Sequence, residues 1–172
     1  MSIVDLRGKL PTHPALRYGH RPLAEIVGVC WHYSGVEGDC SALDVARYHI
    51  SPRPDAPNGW PGCGYTAIVR RDGVIEIAWP LDTLCWHANG GGGQIDDEGH
   101  YVGENNWRWI GVMLAGLSGF TEAQLAAALF FSDWCEDELN RPLLQAGHRH
   151  LRTNTLCPGA GWDALYSALV WR

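Results

Sequence analysis

The sequence predicts an α/β fold, a central mixed β-sheet flanked by α-helices, and three stretches carry that reading. The first is the short apolar run 26–31, IVGVCW, which has strand length and β-branched residues. The second is the pair YTAIVR and VIEIA, which alternate around Arg71-Asp72-Gly73 and read as two strands joined by a hairpin turn. The third is a helical pattern opening at Thr121, with Gln124 at the capping-box position and apolar residues at Leu125, Ala128, Leu129 and Trp134, to about Leu139.

A chain of 172 residues is expected to form one domain with a substantial core. Residues 1–24 are rich in Pro, Arg and His without sustained periodicity, and read as an extended arm lying on that domain, with at most one short strand. Strand 26–31 delivers His32 at its carboxyl end, where open α/β sheets tend to bind ligands. A helix follows, with Asp39 or Ser41 as N-cap, to about Ile50. Residues 51–64, SPRPDAPNGWPGCG, carry too much Pro and Gly for anything but a loop. The hairpin strands 65–70 and 74–78 come next, and 83–87 is a candidate further strand. Residues 88–106, ANGGGGQIDDEGHYVGENN, are expected to lack regular structure. Residues 110–115 read as a central strand, 143–146 as a short strand that reaches His148, and 161–169 as a closing helix. No internal repeat and no second domain is evident.

Composition narrows the function. A net charge of −6 with no basic stripe argues against nucleic acid as a partner. Nine Trp suit a groove that stacks on sugars or peptides, although core packing accounts for most of them. The N-terminal stretch lacks the apolar run of a signal peptide, and no segment is apolar enough to span a membrane. The chain is therefore expected to be made as a soluble cytoplasmic protein, and to be monomeric. Its cysteines are 30, 40, 63, 85, 135 and 157. Were Cys157 to bind metal, an odd number would remain, so reduced thiols are expected, with a Cys30–Cys40 bridge left open.

The stretch 143–162, LLQAGHRHLRTNTLCPGAGW, holds the chemistry. Its two imidazoles, His148 and His150, and the thiol of Cys157 are donors of the kind zinc takes, in a segment with little helix-forming sequence. A third ligand must come from elsewhere, and His32 at its strand end is the best candidate. In an extended segment residues two apart point the same way, so spacing alone does not choose between His148 and His150. A structural zinc site, closed by a fourth ligand such as His150 or His87, stays open beside a catalytic one.

Five motifs in order, WHYSG, GCGYTAIVRRDG, CWHANGG, NNWRWIGVMLAG and AGHR…CPG, resemble the type-2, zinc-dependent N-acetylmuramoyl-L-alanine amidases, the family of phage T7-like lysozymes and peptidoglycan recognition proteins. They span about residues 26 to 162. The resemblance implies His32, His148 and Cys157 as ligands of Zn2+, and it favours His148 over His150, where many relatives have an acidic residue. It implies Tyr65 as the catalytic phenol and Thr155, where some members carry Lys, as a donor to the oxyanion. His87 matches the family's groove histidine that touches the peptide stem. Trp60 on the rim and Asn106 are the further candidate substrate contacts, although His87 and Asn106 also suit bracing of the Gly-rich loop. The implied activity is cleavage of the amide between N-acetylmuramic acid and L-Ala of bacterial peptidoglycan, by a phage or prophage endolysin released to the wall. A non-catalytic peptidoglycan-binding module and a cytoplasmic muropeptide-recycling amidase are the alternatives; the latter group usually has Asp where Cys157 stands.

Overall fold

One sheet of six strands organises the computed structural model, which describes residues 2–88, 104–152 and 154–170. The elements are β1 (Ile3–Asp5), β2 (Gly28–Tyr33), α1 (Ala42–Ile50), β3 (Ala67–Val69), β4 (Ile75–Ile77), α2 (Glu104–Arg108), β5 (Trp109–Leu114), α3 (Glu122–Leu139), β6 (Leu144–Gly147), α4 (His148–Leu151) and α5 (Trp162–Val170). The strand order is β1-β4-β3-β5-β2-β6. β3, β5, β2 and β6 run parallel, β4 is antiparallel to β3, and β1 pairs in parallel with β4. The sheet is mixed and flanked by helices, as the sequence predicts.

The two-residue period of the central strands divides the interior into two cores. Val29 and Trp31 of β2, with Ile110, Val112 and Leu114 of β5, pack against α3 and α5 through Ala127, Phe131, Leu165 and Leu169. On the other face Ile68 and Met113 lie under Ala42, Val45 and Ala46 of α1. Cys30 and His32 alternate with the first set and fall on this second face, in register with Gly111 and Met113. Both faces of β2 are covered, which is why its sequence is almost continuously apolar.

Caps set the helix boundaries. Ser41, not Asp39, starts α1: its hydroxyl accepts from Asp44 N–H, and the Asp44 carboxylate accepts from Ser41 N–H. Asp39 instead binds the Arg70 guanidinium at 2.5 Å. Thr121 and Gln124 cap α3 reciprocally, and the buried Gln124 amide also donates to the Val69 and Ala115 carbonyls, tying the helix to the sheet.

Several expectations change. Residues 83–87 make no strand beyond an isolated pairing of Thr83 with His20: Leu84 N–H reaches Gly19 O in the arm, while Thr83 and Cys85 N–H bond locally and His87 N–H goes to Asn106. The end of the Gly-rich stretch, free of Gly and Pro, forms α2; residues 89–103 lie outside the described residues. β2 continues to Tyr33, so His32 sits inside the strand. The path after Gly147 is a helical turn, not extended chain. All six cysteines are free. No Cys30–Cys40 bridge forms, since Cys30 is enclosed in β2 while the Cys40 thiol bonds to the Ser34 side chain before α1. No helix among the described residues is long and apolar enough to cross a membrane.

The arm is fastened by Arg21, which is 3% exposed. Its guanidinium donates to the carbonyls of Leu81, Asn106 and Trp109, at 3.1, 2.5 and 2.6 Å for the shortest bond to each. Replacing it with an apolar side chain of similar length removes the side-chain donor to Leu81 O and Asn106 O and one of two to Trp109 O. Arg21→Met is expected to cost about 2–4 kcal/mol, read as a lower urea midpoint with an unchanged slope; an unchanged midpoint would show that the arm is not fastened there.

Candidate metal centre

Three elements bring one donor each to a single point on the α1 face of the sheet. His32 comes from β2, His148 opens α4 directly after β6, and Cys157 lies in the turn before α5. Cys157 Sγ is 3.6 Å from His32 Nδ1, and the His32 and His148 ring centroids are 4.5 Å apart. All three ligating atoms lie within 4.8 Å of one another. Nitrogen and sulfur donors of one tetrahedral zinc stand roughly 3.5 Å apart, so the set needs little adjustment. His148 Nε2 is buried and has no hydrogen-bond partner, an atom that a bound cation would satisfy.

A second set, Cys30, His32 and His87, shares His32 but uses its other nitrogen. His32 Nε2 lies 3.2 Å from Cys30 Sγ and 3.0 Å from His87 Nδ1. All three residues are enclosed, and the spacings are those of hydrogen bonds, so this set reads as the support behind His32 rather than as a competing site.

Two glycines make the arrangement possible. A Cβ at Gly111 would collide with the His87 ring, so the glycine opens a space on the sheet into which that ring fits. A Cβ at Gly147 would stand 2.7 Å from Pro158 Cδ, so its absence lets the Cys157-Pro158 turn close onto β6. Arg149 then joins turn and helix, donating from its backbone to Cys157 O at 2.8 Å and from its side chain to Gly159 O. Because residues 148–151 are helical, His150 points away from His148. It accepts from Gly147 N–H at 3.1 Å and packs on Trp162, which removes it from the donor set.

Residues 22–160 match the family described as N-acetylmuramoyl-L-alanine amidase. The chain belongs to that family. Among solved structures it shares its fold with the amidase LysC from Clostridium intestinale URNW, at TM-score 0.69 and 20% identity over 98% of this chain and 97% of that one. A Drosophila peptidoglycan recognition protein, PGRP-LB, gives TM-score 0.69 and 20% identity over 96% of this chain and 94% of that one. The Ph2119 endolysin from a Thermus scotoductus bacteriophage gives TM-score 0.64 and 16% identity over 97% and 98%. No curated protein sequence matches the chain.

In this amidase-family chain Tyr65 stands beside the donor set, its ring 5.0 Å from His32 and 5.8 Å from His49. Burial raises the Tyr65 phenol well above its ordinary pKa, so it stays protonated. A cavity of ≈ 410 Å³ opens next to it, lined by Ser34, Val36, Asp44, Tyr48 and His49. Thr155 Oγ1 accepts from Cys157 N–H at 3.1 Å, which leaves its own hydrogen free to donate. Trp60 is half-buried, engaged by the His49 ring at 4.4 Å and by the Arg53 guanidinium at 4.5 Å.

His87 and Asn106 are 6% and 0% exposed; His87 stands behind His32, and Asn106 holds the His87 backbone N–H. The visible hint in the sequence was Gly111, a glycine inside an otherwise bulky strand. His49 also matters: its Nδ1 accepts from Gly64 N–H at 2.9 Å, and its ring is 4.4 Å from Trp60 and 5.8 Å from Tyr65.

Burial dominates the electrostatics. It pushes the Cys157 thiol up to about 12, against a hydrogen bond from the Tyr33 backbone and the charge of Arg149. It lowers both His32 and His148. Neutral imidazoles suit a cation, and a cation at this point would ionise the thiol.

Burial also lowers His49 to about 3. The unfolded chain binds that proton near pH 6.5 and the folded chain does not, so stability falls as pH drops from about 6.5 toward 3. His49 alone contributes a slope of about 1.4 kcal/mol per pH unit in that window. His49→Gln is expected to flatten the pH dependence of the unfolding free energy from denaturant titrations by that amount; an unaltered slope would show that His49 titrates normally in the fold.

Proposed function

We propose that this amidase-family chain hydrolyses the amide between N-acetylmuramic acid and L-Ala of the peptidoglycan stem, with zinc held by His32, His148 and Cys157. One observation supports this most: a two-imidazole, one-thiol set, with an unpartnered buried nitrogen on His148, stands beside Tyr65 and an open cavity. Bound there, zinc supplies a Lewis acid that activates water and polarises a carbonyl.

The chain's own groups do the rest. One thiolate and two neutral imidazoles leave the centre with a net charge near +1. Three protein donors leave a position open to substrate, and His150, the rival fourth ligand, is turned toward Trp162. Tyr65 keeps its proton at neutral pH, so its O–H donates to the carbonyl oxygen as that oxygen gains negative charge. Thr155, its oxygen already engaged with Cys157 N–H, adds a second neutral donor. The cavity beside Tyr65 receives one of the two halves that flank the scissile amide, and Trp60 backs the His49 ring that lines it. The role we assign is that of an endolysin, made in the cytoplasm and acting on the wall as a monomer. Its fold likeness to proteins named as endolysins supports that role.

Purified peptidoglycan incubated with the zinc-loaded protein is expected to release new L-Ala amino termini without new reducing sugar ends, and chelation should abolish the release. Cys157→Ser is expected to lose both zinc and release. Tyr65→Phe should keep zinc and wall binding while kcat falls roughly 10²–10³-fold. Sedimentation with the wall but no amine release, in the zinc-loaded wild type, would instead make the chain a binding module.

A further inference from the structure

The hydrogen bonds behind the two imidazoles converge on one dipeptide. His87 Nε2 lies 3.0 Å from the Trp109 carbonyl, which can only accept, so that nitrogen carries the hydrogen. A neutral His87 then turns a bare Nδ1 toward His32 Nε2, 3.0 Å away. Two bare nitrogens at that distance repel, so His32 Nε2 holds a hydrogen and donates it. His32 Nδ1, on the Cys157 side, is thereby left as a lone pair. The next residue, Ala88, makes a backbone hydrogen bond with His148. Asn106 Oδ1 accepts from the backbone N–H of His87 at 3.0 Å and of Ala88 at 2.8 Å, and so pins the pair.

We propose that the His87–Ala88 dipeptide, pinned by Asn106, is the outer frame of the metal centre, fixing His32 as the Nε2–H tautomer and orienting His148. His87 and Asn106 are then positioning residues and touch no substrate. The chain of bonds from His32 ends on a carbonyl rather than on a carboxylate, so it adds no negative charge, and Cys157 alone offsets the cation. Cys30, 3.2 Å from the same His32 nitrogen, is a weaker second partner that leaves the assignment unchanged. This inference rests on the reading of His32, His148 and Cys157 as zinc ligands.

The test measures zinc affinity of the intact chain by competition with a chromophoric chelator, alongside the tautomer of His32 in the zinc-free protein by long-range 15N–1H NMR. Wild type is expected to bind one zinc. His87→Phe and Asn106→Leu should bind about 10–100-fold more weakly, the usual worth of such outer partners. His87→Gln and Asn106→Asp keep a carbonyl or carboxylate acceptor and should recover most of that loss. The zinc-free wild type should show hydrogen on His32 Nε2. These two conservative variants and the NMR reading carry the test if the apolar variants fail to fold. A wild type that binds no zinc would sink the proposed metal centre and this inference together. Normal wild-type binding with unchanged affinity in folded His87→Phe and Asn106→Leu, or a hydrogen on His32 Nδ1, would overturn the inference while leaving the zinc site standing.

Discussion

A histidine enclosed in a central strand is the constraint on which the rest of the site depends. His32 is 1% exposed, and each of its ring nitrogens needs a partner because water reaches neither freely. One nitrogen is met by His87 and Cys30. The other faces Cys157 at a distance suited to two ligands of one cation. Gly111 makes room for the His87 ring that partners it, Gly147 lets the Cys157-Pro158 turn close in, and Asn106 holds the His87 backbone.

This arrangement separates rigidity from access. The inner side of His32 is closed by sheet and hydrogen bonds, and these hold the ligand in place. The outer side, toward Tyr65 and the cavity between α1 and the loop after β2, is where an extended substrate can approach. His49 belongs to both regions: it lines the cavity, and it is fixed from behind by Gly64 N–H. Protein-facing hydrogen bonds thus set orientation, and in the proposed reaction the hydroxyls of Tyr65 and Thr155 are the donors.

Much of this was legible in the sequence because it rests on local rules. The apolar run ending at His32, the hairpin at Arg71-Asp72-Gly73 and the Thr121–Gln124 cap depend on residues within a few positions, and the structure contains a sheet and helices built on them. The different directions of His148 and His150 were not legible from spacing, since they arise from a helical turn at 148–151 where extended chain was expected. Residues 83–87 look like a strand by composition, yet their backbone partners are scattered, at Gly19 and His20 in the arm, at Pro80 and Thr83 nearby and at Asn106. His87 and Asn106 are polar, and polar residues in a loop suggest a surface. The burial of His87 depends on a space above Gly111, more than twenty residues away, and Asn106 is drawn in with it by the His87 and Ala88 N–H groups.

The most direct test of the account is the coordination of the bound ion, by zinc K-edge absorption and an anomalous-difference crystal structure of the zinc-loaded chain. The account predicts two nitrogens and one sulfur, with His32 bound through Nδ1 and His148 through Nε2, and a fourth light atom that belongs to no residue. Four protein ligands, or an ion held by Cys30, His32 and His87, would contradict it.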